Sequence, residues 1–493
     1  MKTLCGIDLG TQSCKIILYD FEQKRIIETA QIPLDMITAN DGTREQKAEW
    51  YQDALKGAFD QLSGSAKKTI AAIGVSGQQH GFIPMDSRGR VLHNVKLWCD
   101  TTTQEECEEL TWAAGGEAAL IKNAGLPMRV GYTAPKVLWL KKRKPKAFAR
   151  ITHILLTHDY INFLLTGVYS AEYGDASGTG LFDIRQQRWS RRVCDLIDPR
   201  IYHSMPTLVC PGEAVGLVTA YAASIYGIPQ GTLVAAGGGD NMMGAIGSGT
   251  VRDGFLAMSL GTSGTLFGYS DKPVIDPTGN LAAFCASTGG WLPLLCTMNC
   301  TVASEELRAL FGLSIEEFNQ EAARAPIGSE GVAILPFFNG ERTPNLPNGR
   351  ASINGINAAN FKRENLARAA MEAAIFGMRI GLEGFNKLGF KAREIRLSGG
   401  GSRSPLWQSI AANVMNLPVK IPASSEAAAM GAAIQALWTL ERCEGSRRTI
   451  GSYTNEHISM EGLIKPDARS VRAYDGAYKN YSKYLGALGP LYT

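Results

Sequence analysis

The chain of 493 residues is too long for one ordinary hydrophobic core and calls for two large domains. A composition of 45% hydrophobic and 19% charged residues is that of a globular protein and sets intrinsic disorder aside. A formal net charge of +4 is nearly neutral at this size, so nothing steers the whole molecule toward nucleic acid or an anionic membrane, and a small partner is expected.

The N-terminus reads MKTLCGIDLG, without the apolar core of a secretory signal, which places the protein in the cytosol. The ten cysteines are scattered, with no CxxC pair and no histidine at ligand spacing, so they read as reduced packing thiols. LCGIDLG alternates apolar and polar residues, turns, and resumes as CKIILYD, the pattern of a β-hairpin. At its tip lie Gly10, Thr11, Gln12 and Ser13, where a tight turn aims successive amides at one point and forms an anion nest. Asp8 ends the first strand, a position from which a carboxylate holds Mg²⁺, usually through water, beside phosphates.

AEWYQDALKGAFDQLS is a helical stretch, and TIAAIGVSG a strand that exits into Gln78, Gln79 and His80. These three side chains can bond sugar hydroxyls, and the flanking Gly77 and Gly81 suggest a closely approached loop. LWCDTTT adds Trp98 and Asp100, an apolar face and an acceptor of the kind sugar pockets use; a buried Trp beside a turn is the alternative. The basic run KKRKPKAFAR reads as solvated surface, and PKAFARITHILLTHDYINFLL as helical. TLVAAGGG is a strand leading to Asp240, Asn241 and a short helix of small residues. Asp240 is either a helix cap or a general base at the mouth of a cleft, with the glycines leaving room for substrate.

A second hairpin, FLAMSLGTSGTLFGYS, repeats Leu9, Gly10 and Thr11 as Leu260, Gly261 and Thr262. With Ser263 it offers a second nest, so two turns can grip a polyphosphate from opposite sides; Ser259 stands where the first copy has its acid. The boundary therefore falls near residue 250, giving domains 1–250 and 251–493 with the ligand cleft between them. The weakly charged stretch from Pro277 is broken by Gly, Pro, Asn and Thr and reads as buried strand and loop rather than a membrane span. Beyond it follow the helix ENLARAAMEAAIFGMRIGLEGFNKL, the strand EIRLSGG, the helix PLWQSIAANVMN and the Ala-rich EAAAMGAAIQALWTL, so both halves are α/β. Gly399, Gly400 and Gly401 flatten the backbone where a planar base can lie, unless they are simply a turn; Ser404 follows in the same loop. No Walker A loop is present and no GxGxxG follows a strand, which removes the two commonest nucleotide loops.

The order GIDLGTQS, SGQQHG, HDYINFLLTG, YGDASGTGLFDI, GGGDN, SLGTSG, LPFFNGERTP, LSGGGSRSPLWQSIAANV and AAAMGAAIQA resembles the FGGY family of carbohydrate kinases over almost the whole chain. That resemblance implies two ribonuclease-H-like domains of the actin and heat-shock-protein type, an inter-domain catalytic cleft, and ATP with Mg²⁺ as cofactors. It implies Asp240 as catalytic base, Asp8 as essential acid, and Gln79, His80 and Asn241 on the sugar. Gly261 and Thr262 would fall at the second phosphate turn and Gly399 to Gly401 at adenosine. SGQQHG, LWCDT, DASGTGLFD and AYKNYSKYLGAL point to the branch acting on D-xylulose, with ribulose, gluconate, fuculose or glycerol as alternatives and an actin-like ATPase or sugar sensor as rivals. Gln79 replaces a common Met and His158 a common Lys. The expected partners are the sugar and ATP, with no nucleic acid or membrane and a homodimer left open.

Overall fold

The computed structural model describes residues 2–424 and 426–492. Thr3–Leu9 (β1), Ser13–Asp20 (β2), Arg25–Pro33 (β3), Ile70–Gly77 (β4), Ala214–Leu217 (β5), Leu233–Ala235 (β6) and Gly238–Gly239 (β7) build one sheet. Its order is β5-β6-β4-β1-β2-β3, with β7 also paired to β4. Phe255–Leu260 (β8), Gly264–Gly268 (β9), Ala282–Cys285 (β10), Trp291–Thr297 (β11), Glu394–Ser398 (β12), Val419–Pro422 (β13) and Met460–Ile464 (β14) build another, ordered β10-β11-β9-β8-β12-β13-β14. In both, three antiparallel strands are extended by parallel ones: β3, β2 and β1 by β4 and β6, and β11, β9 and β8 by β12 and β13. The duplicated hairpin is thus the visible part of a duplicated sheet. The weakly charged stretch supplies β10 and β11, and among the described residues no helix is long and apolar enough to cross a membrane.

The helices that position the site are Ala48–Gln61 (α1), Thr133–Arg143 (α2), Thr157–Thr166 (α3), Asp240–Gly247 (α4), Arg363–Lys387 (α5), Pro405–Met415 (α6), Ala427–Cys443 (α7), Ile450–His457 (α8) and Ala468–Leu488 (α9). Apolar residues of α1 and α3 cover the outer face of the first sheet; those of α5, α6 and α9 cover the second. Between the sheets lie α4 and α7, in a core that takes Leu4 and Ala72 from one side and Ala257 and Leu294 from the other. Residues 145–165, expected as one helical stretch, are interrupted. Ile154 and Leu155 are buried in the strand His153–Leu155, which pairs with Ile83–Met85, and α3 begins only at Thr157. Asp159 fixes that start by accepting from the Leu156 amide at 3.0 Å. A continuous apolar run does not distinguish a buried strand from a buried helix.

The α4–α7 contact is backbone on backbone. A Cβ on Gly431 would lie 1.8 Å from the Met243 carbonyl oxygen, and one on Gly247 1.8 Å from that of Ala427. The other side of α7 is as close to the first sheet: a Cβ on Gly6 would stand 2.0 Å from Ala429 O, and one on Gly74 2.0 Å from Ala432 O. A helix from late in the chain therefore returns to pack on the first sheet. Because the obstructing atoms are carbonyl oxygens, Gly431→Ala is expected to destabilise by about 3 kcal/mol or more. Gly476→Ala, in open space on α9, is expected to stabilise by roughly 0.5–1 kcal/mol. Chemical denaturation of the two variants checks the contrast.

Candidate active site

The two hairpin turns are fixed from behind. In the first, the Gly10 amide donates to Ser13 O at 3.0 Å, and Gln46 Nε2 donates to Thr11 O at 2.8 Å. Thr11 Oγ1 donates to Gln78 Oε1 at 2.9 Å and accepts from Trp98 Nε1 at 3.0 Å. Gln12 O accepts from Leu34 N, and Ser13 Oγ from Gln31 Nε2. In the second, the Gly261 amide donates to Ser263 O at 3.2 Å, while Gly261 O and Thr262 O accept from the amides of Thr301 and Cys300. Gly399, at φ +85°, has no room for a side chain: a Cβ would be 2.5 Å from Leu260 O. Its loop is thereby pressed against the second turn, with Gly401 against the Leu260 side chain and Gly400 in open space. Ser404, grouped with these glycines from sequence, is instead occupied as the N-cap of α6, donating to Asn319 Oδ1 at 2.9 Å and accepting from Trp407 N.

A cavity of about 280 Å³ opens between the sheets, lined by Asp8, Asp240, Asn241, Ser259, Ser398 and Glu426 among others. Asp240 is the first residue of α4, and its Oδ1 accepts from the Asn241 amide at 2.7 Å. Burial, then the charge of Asp8, pushes its carboxyl up to about 7, against the pull of the Asn241 amide. Burial also raises Asp8, opposed by the Ser76 hydroxyl at 2.8 Å and by Lys15; Glu426 adds to the rise. Lys15 and Glu426 pair at 2.6 Å across the cleft, tying β2 to the start of α7. Among the described residues no three metal-ligating side chains converge. Asp8 on its own suits a hard cation that takes most of its oxygens from phosphate and water.

Beside the aspartates, Asn241 Nδ2 donates to Gln79 Oε1 at 2.8 Å. His80 sits at φ 65°, an uncommon conformation for a non-glycine residue. Lys136 Nζ holds it there by donating to His80 O at 2.7 Å and to Gly131 O at 2.9 Å. The His80 ring lies between Tyr132 and Phe284, at centroid distances of 5.0 and 5.9 Å, so the second sheet contributes to this wall through β10. Burial, then Lys136 and Arg342, brings the imidazole down to about 3, making it neutral at physiological pH. Gln79 is turned toward Asp175, and the His80 ring meets the Gly178 backbone, so the buried polar groups of this wall face one another beside the cavity.

Three expectations change. The approach to Gly77 and Gly81 is made by protein: a Cβ at Gly77 would lie 2.7 Å from His158 N, and at Gly81 2.3 Å from Thr157 Oγ1. The glycines before Asp240 likewise leave room for side chains, with Gly238 against Ser287 and Gly239 against Gln79 and Asp175. Asp100 faces inward, fully buried, with its oxygens taken by Lys96 Nζ, the Thr102 hydroxyl and the Arg44 amide. It braces the loop, and only Trp98 of that pair remains half open, reaching the first turn.

Family models describe the N-terminal domain of the FGGY family of carbohydrate kinases over residues 3–247 and its C-terminal domain over residues 256–440. This chain belongs to the FGGY family of carbohydrate kinases. It is accordingly an ATP-using phosphotransferase with an alcohol group as acceptor, on the two-domain actin-like fold. Xylulose kinase of Haemophilus influenzae is 42% identical to this kinase over 492 residues, spanning 98% of this chain and 99% of its own. Xylulose kinase of Bacillus subtilis is 32% identical, over 98% and 96%. A crystal structure of a xylulose kinase from Brucella ovis superposes with a TM-score of 0.92 at 30% identity, covering 99% of this chain and 100% of that one. Gluconate kinase from Lactobacillus acidophilus reaches the same TM-score at 23% identity over 100% and 99%, so the fold does not select the sugar.

The kinase also contains a charge network that the motif reading did not assign. His158, the first-turn residue of α3, is completely buried between Asp175, 2.8 Å from Nδ1, and Asp159, 2.9 Å from Nε2. Burial alone would strip its proton, but the two carboxylates outweigh it and hold the ring cationic, well above the ordinary histidine range. Asp175 is thereby oriented beside Gln79 and Gly239. Glu172, pushed up to about 7 by burial, caps the same turn through the amides of Gly174 and Asp175. The sequence signal was the substitution of His158 for the usual Lys, which keeps a cation at this position. His158→Ala leaves two buried carboxylates uncompensated and is expected to cost about 3–5 kcal/mol. His158→Lys is expected to recover most of that stability in denaturant unfolding.

Proposed function

We propose that this kinase transfers the γ-phosphoryl group of ATP to the 5-hydroxyl of D-xylulose, with Asp240 as general base. The observation that carries this reading is Asp240 itself, at the N-terminus of α4, facing the same cavity as Asp8 and held to the Asn241–Gln79 pair. The names of the full-length relatives favour xylulose as the sugar. In this mechanism the sugar oxygen attacks phosphorus in line while its proton passes to Asp240, and the bond to the β-phosphate oxygen breaks with its electron pair leaving on ADP. Gln79, His80 and Asn241 bind and orient the sugar, with Trp98 at the edge of the pocket. The amides of Gly10 to Ser13 and of Gly261 to Ser263 take the phosphates from either side, and Gly399 to Gly401 receive the base. Asp8 would hold a divalent cation such as Mg²⁺, which would neutralise phosphate charge when bound. Residues 1–250 thus carry the sugar, the first turn and the base, and residues 251–493 the second turn and the nucleotide loop, with α7 crossing back to the first sheet. The reading places the enzyme in the cytoplasm, where ATP is at hand.

ADP release is expected to be strongest with D-xylulose in a panel containing D-ribulose, L-ribulose, D-gluconate, L-fuculose and glycerol. Preference for another member of the panel overturns the sugar assignment. Asp240→Asn is expected to lower turnover by at least about 100-fold while sugar binding, read by calorimetry, is kept.

A base whose carboxyl titrates at about 7 is protonated and idle below that pH. The kcat/KM for the sugar should rise about tenfold per pH unit up to that region and level off above it. The same shift bears on stability. Because the folded value lies above the ordinary 3.8, the contribution of this group is present below about pH 4 and lost as pH rises through about 7. Asp240→Asn should therefore melt higher than the parent at pH 8 and close to it at pH 4, a difference that calorimetric scans resolve.

A further inference from the structure

At the opposite end of the α4–α7 pair lies a second cavity, of about 500 Å³, whose charged lining is Arg252, Arg442, Arg447 and Arg448, with no carboxylate among its walls. Arg442 and Trp438 come from the C-terminal turns of α7, whereas Glu426 and Ala427, at that helix's start, line the catalytic cavity. The two linings share no residue, although Ser248 of the catalytic cavity and Val251 of this pocket lie three positions apart in the chain. The pocket is thus a neighbour of the catalytic cavity with walls of its own.

The guanidinium groups are held in place. Arg442 lies over Trp438, Arg448 over Tyr453 and Arg252 over Phe255, at 5.4, 4.3 and 5.9 Å from the ring centroids. Arg448 pairs with Glu456 and Glu441. Among the described residues, Arg252, Arg442 and Arg447 have no carboxylate within salt-bridge distance, so their charge faces the cavity uncompensated. The first turn of α8, Ile450 to Ser452, forms one wall and adds the positive end of a helix dipole. Thr288, from the turn between β10 and β11, completes the lining. Three guanidiniums outside any ion pair and a helix N-terminus converge on a concavity of ligand size.

We infer that this arginine pocket binds a small phosphorylated metabolite carrying two or more negative charges. Its walls come from the segment after α4, from the second sheet and from α7 and α8. A bound anion therefore ties together the far ends of the two helices whose near ends bear Asp240 and Glu426.

The test is calorimetric titration of the full-length protein with inorganic pyrophosphate. Beside any binding at the phosphate turns, one saturable equivalent is expected that is weakened at least tenfold in the double variant R252A/R447A, whose two side chains are exposed and outside any ion pair. A Lys144→Ala/Lys146→Ala variant, which removes exposed charge elsewhere, is expected to bind as the parent does. R442Q provides a second route should the double variant not fold. Absence of saturable binding, or binding equally strong in R252A/R447A and R442Q, overturns the inference.

Discussion

Two helices, α4 and α7, touch along their backbones between two sheets, and the position of everything catalytic follows from that contact. Glycine at 247 and 431 lets the helices meet, and glycine at 6 and 74 lets α7 lie directly on β1 and β4. Each of these four positions would place a Cβ within about 2.0 Å of a carbonyl oxygen, closer than any side chain tolerates. The near end of α4 presents Asp240, the near end of α7 presents Glu426, and β1, pressed against α7, carries Asp8 one residue before its end. Close packing of small residues thus becomes the alignment of three carboxylates on one cavity.

Such an arrangement raises the energy of negative charge at the place where phosphate charge is to be handled. Asp8 and Asp240 are both raised, chiefly by burial. A base with a value near neutrality accepts a proton readily at physiological pH yet is still ionised enough to act. Lys15, paired with Glu426, moderates the field without filling the site. Behind the sugar wall the arrangement is different: His158 sits between Asp159 and Asp175, one cation between two buried carboxylates.

Much of the site was legible in the chain. GIDLGTQS and SLGTSG point to paired hairpin turns because a strand-turn-strand pattern is local; the structure closes the first from Gly10 N to Ser13 O and the second, one residue tighter, from Gly261 N to Ser263 O. Asp240 after a glycine-ended strand reads as cap or base; it opens a helix while facing the cavity. Glycine was less informative. Gly77, Gly81, Gly238 and Gly239 signalled close approach correctly but not by what, since the approaching atoms belong to α3, Gln79, Asp175 and Ser287, distant in sequence. Asp100 and Ser404 have polar side chains fit for ligands, and both are occupied by structural hydrogen bonds that no spacing rule reveals.

Local features could be read from the chain: the hairpins, the helices of the second half and the residue types of a phosphoryl-transfer site. These depend on periodicity and turn chemistry within a few residues. Tertiary structure alone decided that residues 427–443 return to the first sheet, that residues 153–155 form a strand, and that His158 bridges two acids. It also decided that four arginines from residues 252 to 448 enclose one pocket. The reason is physical: burial, pKa and pairing are set by which distant groups share a low-dielectric space, and a linear pattern records neither their distance nor their solvation.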